Sequence, residues 1–156
     1  MQMRNRNAVN LIVPIFLGIS IAALIKKFKR VDNQITKNFN LSEFASKDGA
    51  PMPDNVKKNI IELAKNLEVI RSYFNQPIKI NSGYRSPAHN AKQKGAVKNS
   101  QHVLGKAADI VIPGRTPIEI AKGIEYLISV NKIKQGGLGI YPTFVHYDIR
   151  GEKARW

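Results

Sequence analysis

The sequence predicts an α+β domain in which a small antiparallel sheet packs against helices, preceded by an N-terminal transmembrane helix. Three observations carry this reading. Residues 54–74 repeat apolar side chains at three-and-four spacing, several short runs of Ile, Val, Phe and Tyr are bounded by Gly, Pro or Asn, and residues 8–25 are uncharged and almost wholly apolar. A chain of 156 residues with 43% hydrophobic content accommodates one domain of ordinary size plus an appendage. The absence of cysteine excludes a disulfide framework and any thiolate metal site.

The apolar run AVNLIVPIFLGISIAALI has 18 residues, flanked by Arg4 and Arg6 before it and by Lys26, Lys27, Lys29 and Arg30 after it. At about 1.5 Å per residue it makes about 27 Å of helix, near the lower end of what spans a bilayer. A cleaved signal peptide ends in a small-x-small site, whereas this run ends Ala22-Ala23-Leu24-Ile25 and enters lysines, which favours an uncleaved anchor. A soluble core helix carries a polar face, and here only Asn10 and Ser20 interrupt the apolar surface. Pro14 is tolerated in a membrane helix. The expected organisation is an anchor over residues 1–30, a polar linker over 31–40 and a folded domain over 41–156.

Within the domain, Asp54 is the expected N-cap of a long helix whose Val56, Ile60, Leu63, Leu67, Ile70 and Phe74 face the core. Residues 77–83 read as a short strand entering a loop that carries Arg85. His89 stands where a turn opens a new helix, with no acid close in sequence, and is a bystander. Ile110-Val111-Ile112 reads as a buried strand. At Thr116-Pro117-Ile118-Glu119 an N-cap threonine, a proline at the first helical position and a glutamate three residues after the cap form a capping box. It opens a second helix with Ile118, Ala121, Ile124 and Ile128 as its apolar stripe. Gly136, Gly137 and Gly139 permit a bend or a close backbone approach, or make a plain hairpin turn. His146 follows on its own strand, and no internal repeat or low-complexity tract is present.

Two of the three histidines lie near aspartates in these strand-like segments: His102 and Asp109 in Ser100-Gln101-His102-Val103-Leu104-Gly105-Lys106-Ala107-Ala108-Asp109, and His146 in Phe144-Val145-His146-Tyr147-Asp148. Imidazole nitrogen and carboxylate oxygen are zinc ligands, and a catalytic zinc keeps three protein ligands with a fourth position left for water. The spacing is not the helical H-E-x-x-H signature, and a structural His–Asp pair is as ready an explanation of the residue types alone.

Several separated motifs, in order, resemble the M15 peptidase family. They are Leu41-Ser42-Glu43-Phe44-Ala45 with Lys47-Asp48-Gly49, then Ser82-Gly83-Tyr84-Arg85-Ser86-Pro87-Ala88-His89-Asn90, then Ser100-Gln101-His102 with Gly105 and Ala107-Ala108-Asp109. Gly136-Gly137-Leu138-Gly139-Ile140-Tyr141-Pro142, Phe144-Val145-His146-Tyr147-Asp148 and Ala154-Arg155-Trp156 complete the set. The resemblance implies a zinc peptidase acting on peptidoglycan stem peptides, of the D-Ala-D-Ala carboxypeptidase or L-Ala-D-Glu endopeptidase kind. It implies His102, Asp109 and His146 as zinc ligands and Arg85 as the residue that holds substrate and polarises the scissile carbonyl. Many members carry an acid three residues before the last ligand histidine as general base, and here Thr143 stands there. Asp148 is the candidate base, because residues two apart on a strand share a face, with the alternative that it orients His146. Thr143 also sustains a different class of function, a wall-binding or structural module that keeps the fold without catalysis.

Of 25 basic and 11 acidic residues, six basic residues and no acids lie in the first 30, so residues 31–156 keep 19 against 11, a net +8 within the total of +14. A basic surface attracts polyanions, yet no nucleic-acid-reading motif is present, so the expected partners are peptidoglycan peptides and, through residues 8–25, a membrane. Basic residues after the apolar run outnumber those before it, which leans toward a cytoplasmic domain, whereas stem peptides lie outside the membrane and require the exported orientation.

Overall fold

The computed structural model describes Ser20, Ala22 and residues 33–156. Among these no helix is long and apolar enough to cross a membrane. The expected transmembrane run, residues 8–25, lies outside the described residues except for Ser20 and Ala22.

Among residues 41–156, a 3-10 turn at Leu41–Phe44 is followed by three helices and five strands: α1 (Asp54–Phe74), β1 (Lys79–Ser82), α2 (Pro87–Ala91), β2 (Ala107–Val111), α3 (Pro117–Ser129), β3 (Gly137–Ile140), β4 (Val145–Asp148) and β5 (Ala154–Arg155). The sheet order is β1-β2-β4-β3-β5. The first four strands pair antiparallel, but β5 runs parallel to β3, so the sheet is mixed where an antiparallel one was expected. The reason is topological. One edge of β4 is held by β2 and the other by β3, so the chain leaving β4 adds at the nearer free edge, beyond β3, and after one reversal it arrives in the direction of β3.

The long helix α1 buries Val56, Ile60, Leu63, Ala64, Leu67 and Ile70, as the spacing predicts, and ends at Asn75 in the left-handed region (φ 49°, ψ 39°). Its N-cap is Pro53 and not Asp54; Asp54 is the first helical residue, where its carboxylate favours the positive end of the helix and pairs with Lys57 at 2.8 Å. The capping box of α3 is present, Thr116 Oγ1 accepting from the Glu119 N–H and Glu119 accepting from the Thr116 N–H. Its buried stripe is Ile120, Ala121, Ile124, Leu127 and Ile128, while Ile118, expected inside, is 57% exposed because it stands in the first turn on the outer side.

Residues 33–40 are no free linker. Phe39 is buried in the core and meets Phe44 edge-on at 6.0 Å, and Glu68 of α1 accepts from the Thr36 hydroxyl (2.7 Å), the Asn38 N–H (2.6 Å) and the Asn38 amide (2.7 Å). Polar composition suggested a solvated segment, but two of its polar residues, Thr36 and Asn38, are spent on a helix about 30 positions away.

Strand alternation sorts the sheet into two faces. Ala108 and Ile110 of β2 and Val145 and Tyr147 of β4 enter the hydrophobic core, so Asp109, His146 and Asp148 stand on the opposite face. The register then aligns a row across four strands: Ser82 opposite Asp109, Asp109 opposite His146, and His146 opposite Gly139. An irregularity between Ile80 and Ser82 shifts β1 by one residue, which brings Ser82 to Asp109 and directs the chain into the Arg85 loop.

Candidate metal centre

Asp109 and His146 are cross-strand neighbours on β2 and β4, and His102 reaches them from the turn before β2. That turn is held by its own backbone: Gly105 N–H donates to His102 O, Lys106 N–H to Gln101 O and Arg85 N–H to His102 O. The three side chains are buried, at 3% (His102), 6% (Asp109) and 7% (His146) exposure.

Their facing atoms are His102 Nε2, His146 Nδ1 and Asp109 Oδ1. The separations are 3.2 Å between the two nitrogens, 3.0 Å from His146 Nδ1 to the oxygen and 3.2 Å from His102 Nε2 to the oxygen. A tetrahedral ion with nitrogen and oxygen ligands at about 2.0–2.1 Å holds its donors about 3.3 Å apart, so the triangle has the size such an ion requires.

The outer hydrogen bonds fix which nitrogens carry lone pairs. His102 Nδ1 lies 2.7 Å from the Gly83 carbonyl, which can only accept, so Nδ1 carries the proton and Nε2 is bare. His146 Nε2 lies 3.1 Å from Asp148 Oδ2, so it donates to that carboxylate, and in the neutral ring Nδ1 is bare. Two lone pairs and a carboxylate oxygen therefore converge with no donor between them, an arrangement that one cation relieves. Protonation of His146 is the other relief. Burial pushes that imidazole down, but the carboxylates of Asp109 and Asp148 on either side outweigh it and pull it above its ordinary value. Burial likewise opposes ionisation of Asp109, yet hydrogen bonds and charge from His102 and His146 hold it well below the usual carboxylate range.

Arg85 stands beside this triangle. Its Nη2 donates to Asp109 Oδ2 at 2.6 Å and its Nε to Ser82 Oγ at 2.9 Å, which orients Oδ1 toward the imidazoles. The Arg85 loop is tied to the segment after the 3-10 turn. Tyr84 N–H donates to Phe44 O, Ser86 N–H to Ser46 Oγ, and Asp48 accepts from the hydroxyls of Ser46 and Ser86.

Asp148 shares its face with His146, as alternation along β4 requires, but it stands behind the imidazole and not beside the ligand atoms. It is fully buried and its oxygens are committed: to His146, to the Gly137 N–H at 2.9 Å, to the Arg150 N–H at 3.1 Å and to the Arg150 guanidinium at 2.6–3.1 Å. Burial works against its ionisation, and these donors overcome it and hold the carboxyl far below its ordinary value. Gly137 is the close approach that makes this possible, because a Cβ there would stand 2.3 Å from Asp148 Oδ2.

A groove of about 440 Å³ opens over the triangle, bordered by Arg85, Lys94, Tyr141, Phe144, Arg150 and Trp156 among others. A second lobe of about 290 Å³ continues past Arg85 and Asp109 to Lys47 and His89, so His89, read as a bystander, borders the groove without joining the ligand triangle. Thr143 is exposed, and among the described residues Asp109 is the only acid that lines either lobe. Arg150 and Trp156 were missed as site residues. Alternation from His146 through Asp148 extends to Arg150, so that signal was present; Trp156 stood in the closing Ala154-Arg155-Trp156 motif without a role assigned to it.

Fold and site together define a class: an α+β domain with a two-histidine, one-aspartate group on its sheet, able to hold one metal ion at the floor of an open groove. The sequence matches the Peptidase M15 family over residues 34–148, and the chain belongs to that family. It is 34% identical over 104 residues to the "Probable peptidoglycan L,D-endopeptidase MepK" of Haemophilus influenzae, an alignment covering 63% of this chain and 52% of that protein. The chain thus spans about half the length of that relative. The L-Ala D-Glu endopeptidase ChiX of Serratia marcescens aligns in structure with a TM-score of 0.46 and 16% identity, covering 63% of this chain and 88% of that one.

Proposed function

We propose that this chain is a zinc-dependent endopeptidase that hydrolyses peptide bonds in peptidoglycan stem peptides. The observation that carries the reading is the triangle of bare donor atoms, 3.0–3.2 Å apart, at the floor of a groove. Family membership and the name of the curated relative supply the substrate class. When bound, zinc supplies Lewis acidity at the scissile carbonyl.

The chain's own residues do the rest. His102 and His146 present neutral imidazole lone pairs, each oriented by a partner on its far nitrogen, and Asp109 adds the negative charge. Two of the five N–H donors of Arg85 hold Asp109 and Ser82; the others border both lobes and suit a substrate carboxylate or the charge that develops on the carbonyl oxygen. Asp148 is the carboxylate that orients His146 and not the general base, since it has no access to the groove. Continuity of the two lobes across Arg85 and Asp109 favours cleavage within a chain over removal of a terminal residue, because a carboxypeptidase needs its groove blocked beyond the scissile bond.

The anchor role of residues 8–25, with the domain on the wall side, completes the proposal; a reporter active on one side of the membrane only, fused after Trp156, tests it. The activity is tested by digesting defined muropeptides with the full-length zinc-loaded chain and weighing the fragments. Internal cleavage by the wild type and none by His102→Ala is expected. Intact muropeptides under every metal tried would remove the enzymatic reading and leave a wall-binding module.

A further inference from the structure

The groove beside the donors is lined by two chemically unlike kinds of side chain. Arg85, Lys94 and Arg150 bring cations to its lining, and Tyr141, Phe144 and Trp156 bring aromatic rings. Trp156 is pinned by its backbone to β3, the Ile140 N–H donating to its carbonyl at 2.9 Å and its own N–H donating to Leu138 O at 3.3 Å. Its indole lies over Gly139, where a Cβ would stand 2.5 Å from Nε1, so only glycine at the end of the ligand row leaves it room.

The ring has further partners. Nε1–H donates to the Tyr141 hydroxyl at 2.8 Å, the Arg150 guanidinium lies 5.8 Å from the ring centroid, and the His146 imidazole is 5.2 Å away, tilted by 47°. Tyr141 in turn stacks on Phe144 at 4.4 Å and 11°. Yet Trp156 remains 51% exposed. A large aromatic side chain that has lost its rotational freedom while keeping half its surface in water adds little to the core, but is organised in advance to contact a molecule that arrives.

We infer that Trp156 is a substrate-contacting specificity residue: the exposed part of its indole, beside Tyr141, packs against the aliphatic part of a peptide lying across His146. The inference rests on the peptidase reading above. It assigns to these aromatic rings an apolar part of the substrate, and to the cations of the same groove a neighbour bearing a carboxylate.

Trp156 is the only tryptophan in the sequence, so its emission reports this contact alone. Stopped-flow mixing of the full-length zinc-loaded chain with a stem tetrapeptide is expected to give a saturable emission change before turnover. Trp156→Ala is expected to raise KM about tenfold, the loss of one aromatic contact face, with kcat held within about twofold, because contact made equally in ground and transition states appears in KM. Trp156→Phe, which keeps a flat apolar face, recovers most of the loss. No emission change at saturating peptide overturns the inference, as does a fall in kcat with KM unchanged, which would mean that the indole acts only through His146. If the wild type cleaves nothing, it is the peptidase reading that fails, and the emission titration then decides the contact by itself.

Discussion

Replacing Asp148 by asparagine removes one charge and one acceptor without changing shape, and the hydrogen bonds predict where the effect appears. Asparagine accepts through one oxygen only. If that oxygen takes the place of Oδ1, facing the Gly137 and Arg150 N–H groups, the amide nitrogen replaces Oδ2 and meets the Arg150 guanidinium and His146 Nε2–H, donor against donor. The imidazole escapes by moving its proton to Nδ1, the very atom that faces Asp109 and His102. Loss of such an orienting carboxylate weakens metal binding by about 10–100-fold, which is about 1.4–2.7 kcal/mol. The unpaired Arg150 adds a stability cost of about 3–5 kcal/mol if the pair behaves as a buried one, less because the guanidinium is 31% exposed. Competition with a chromophoric chelator measures the affinity, and peptide hydrolysis is followed in parallel at rising zinc. The expected result is weaker binding, with activity recovering as zinc saturates. Unchanged affinity with activity abolished at all zinc concentrations would refute the reasoning and return Asp148 to the role of general base.

Two further outcomes test the scaffold. Asp48 ties the Lys47–Asp48 segment to the Arg85 loop, and the hydroxyls of Ser46 and Ser86 lower its carboxyl from 3.8 to about 2. A depressed folded-state value stabilises above the unfolded one, so the Tm difference between wild type and Asp48→Asn should be full above pH 3.8 and close as pH falls through about 2; a difference that grows with acidification contradicts this. Leu63→Ala, at a fully buried position of α1, should cost about 2–5 kcal/mol in denaturant unfolding, and a loss under about 1 kcal/mol would mean that the core collapses around the gap.

Much of this was legible along the chain because the forces involved are local. Helix α1 follows from three-and-four spacing and α3 from four consecutive residues of a capping box, each satisfied within one turn of backbone. His102, Asp109, His146 and Arg85 were singled out from motif order, and the structure brings the four together; the alternation of β4 placed Asp148 on the face of His146. Local signals failed where a distant partner decides. Ile118 has the apolarity of a core residue but faces outward, and residues 33–40 have the polarity of a linker but pair with Glu68.

By itself, then, the sequence determined which segments are helical, since that depends on neighbours within a few positions, and the order of its motifs pointed to the donor residues that the fold brings together. Only the tertiary structure decided the parallel run of β5, the bare nitrogens of the two imidazoles, the burial of Asp148 behind His146 and the indole over Gly139. Each of these turns on a hydrogen bond or a van der Waals contact between groups far apart along the chain, whose meeting is set by strand register and by which sheet edge remains free.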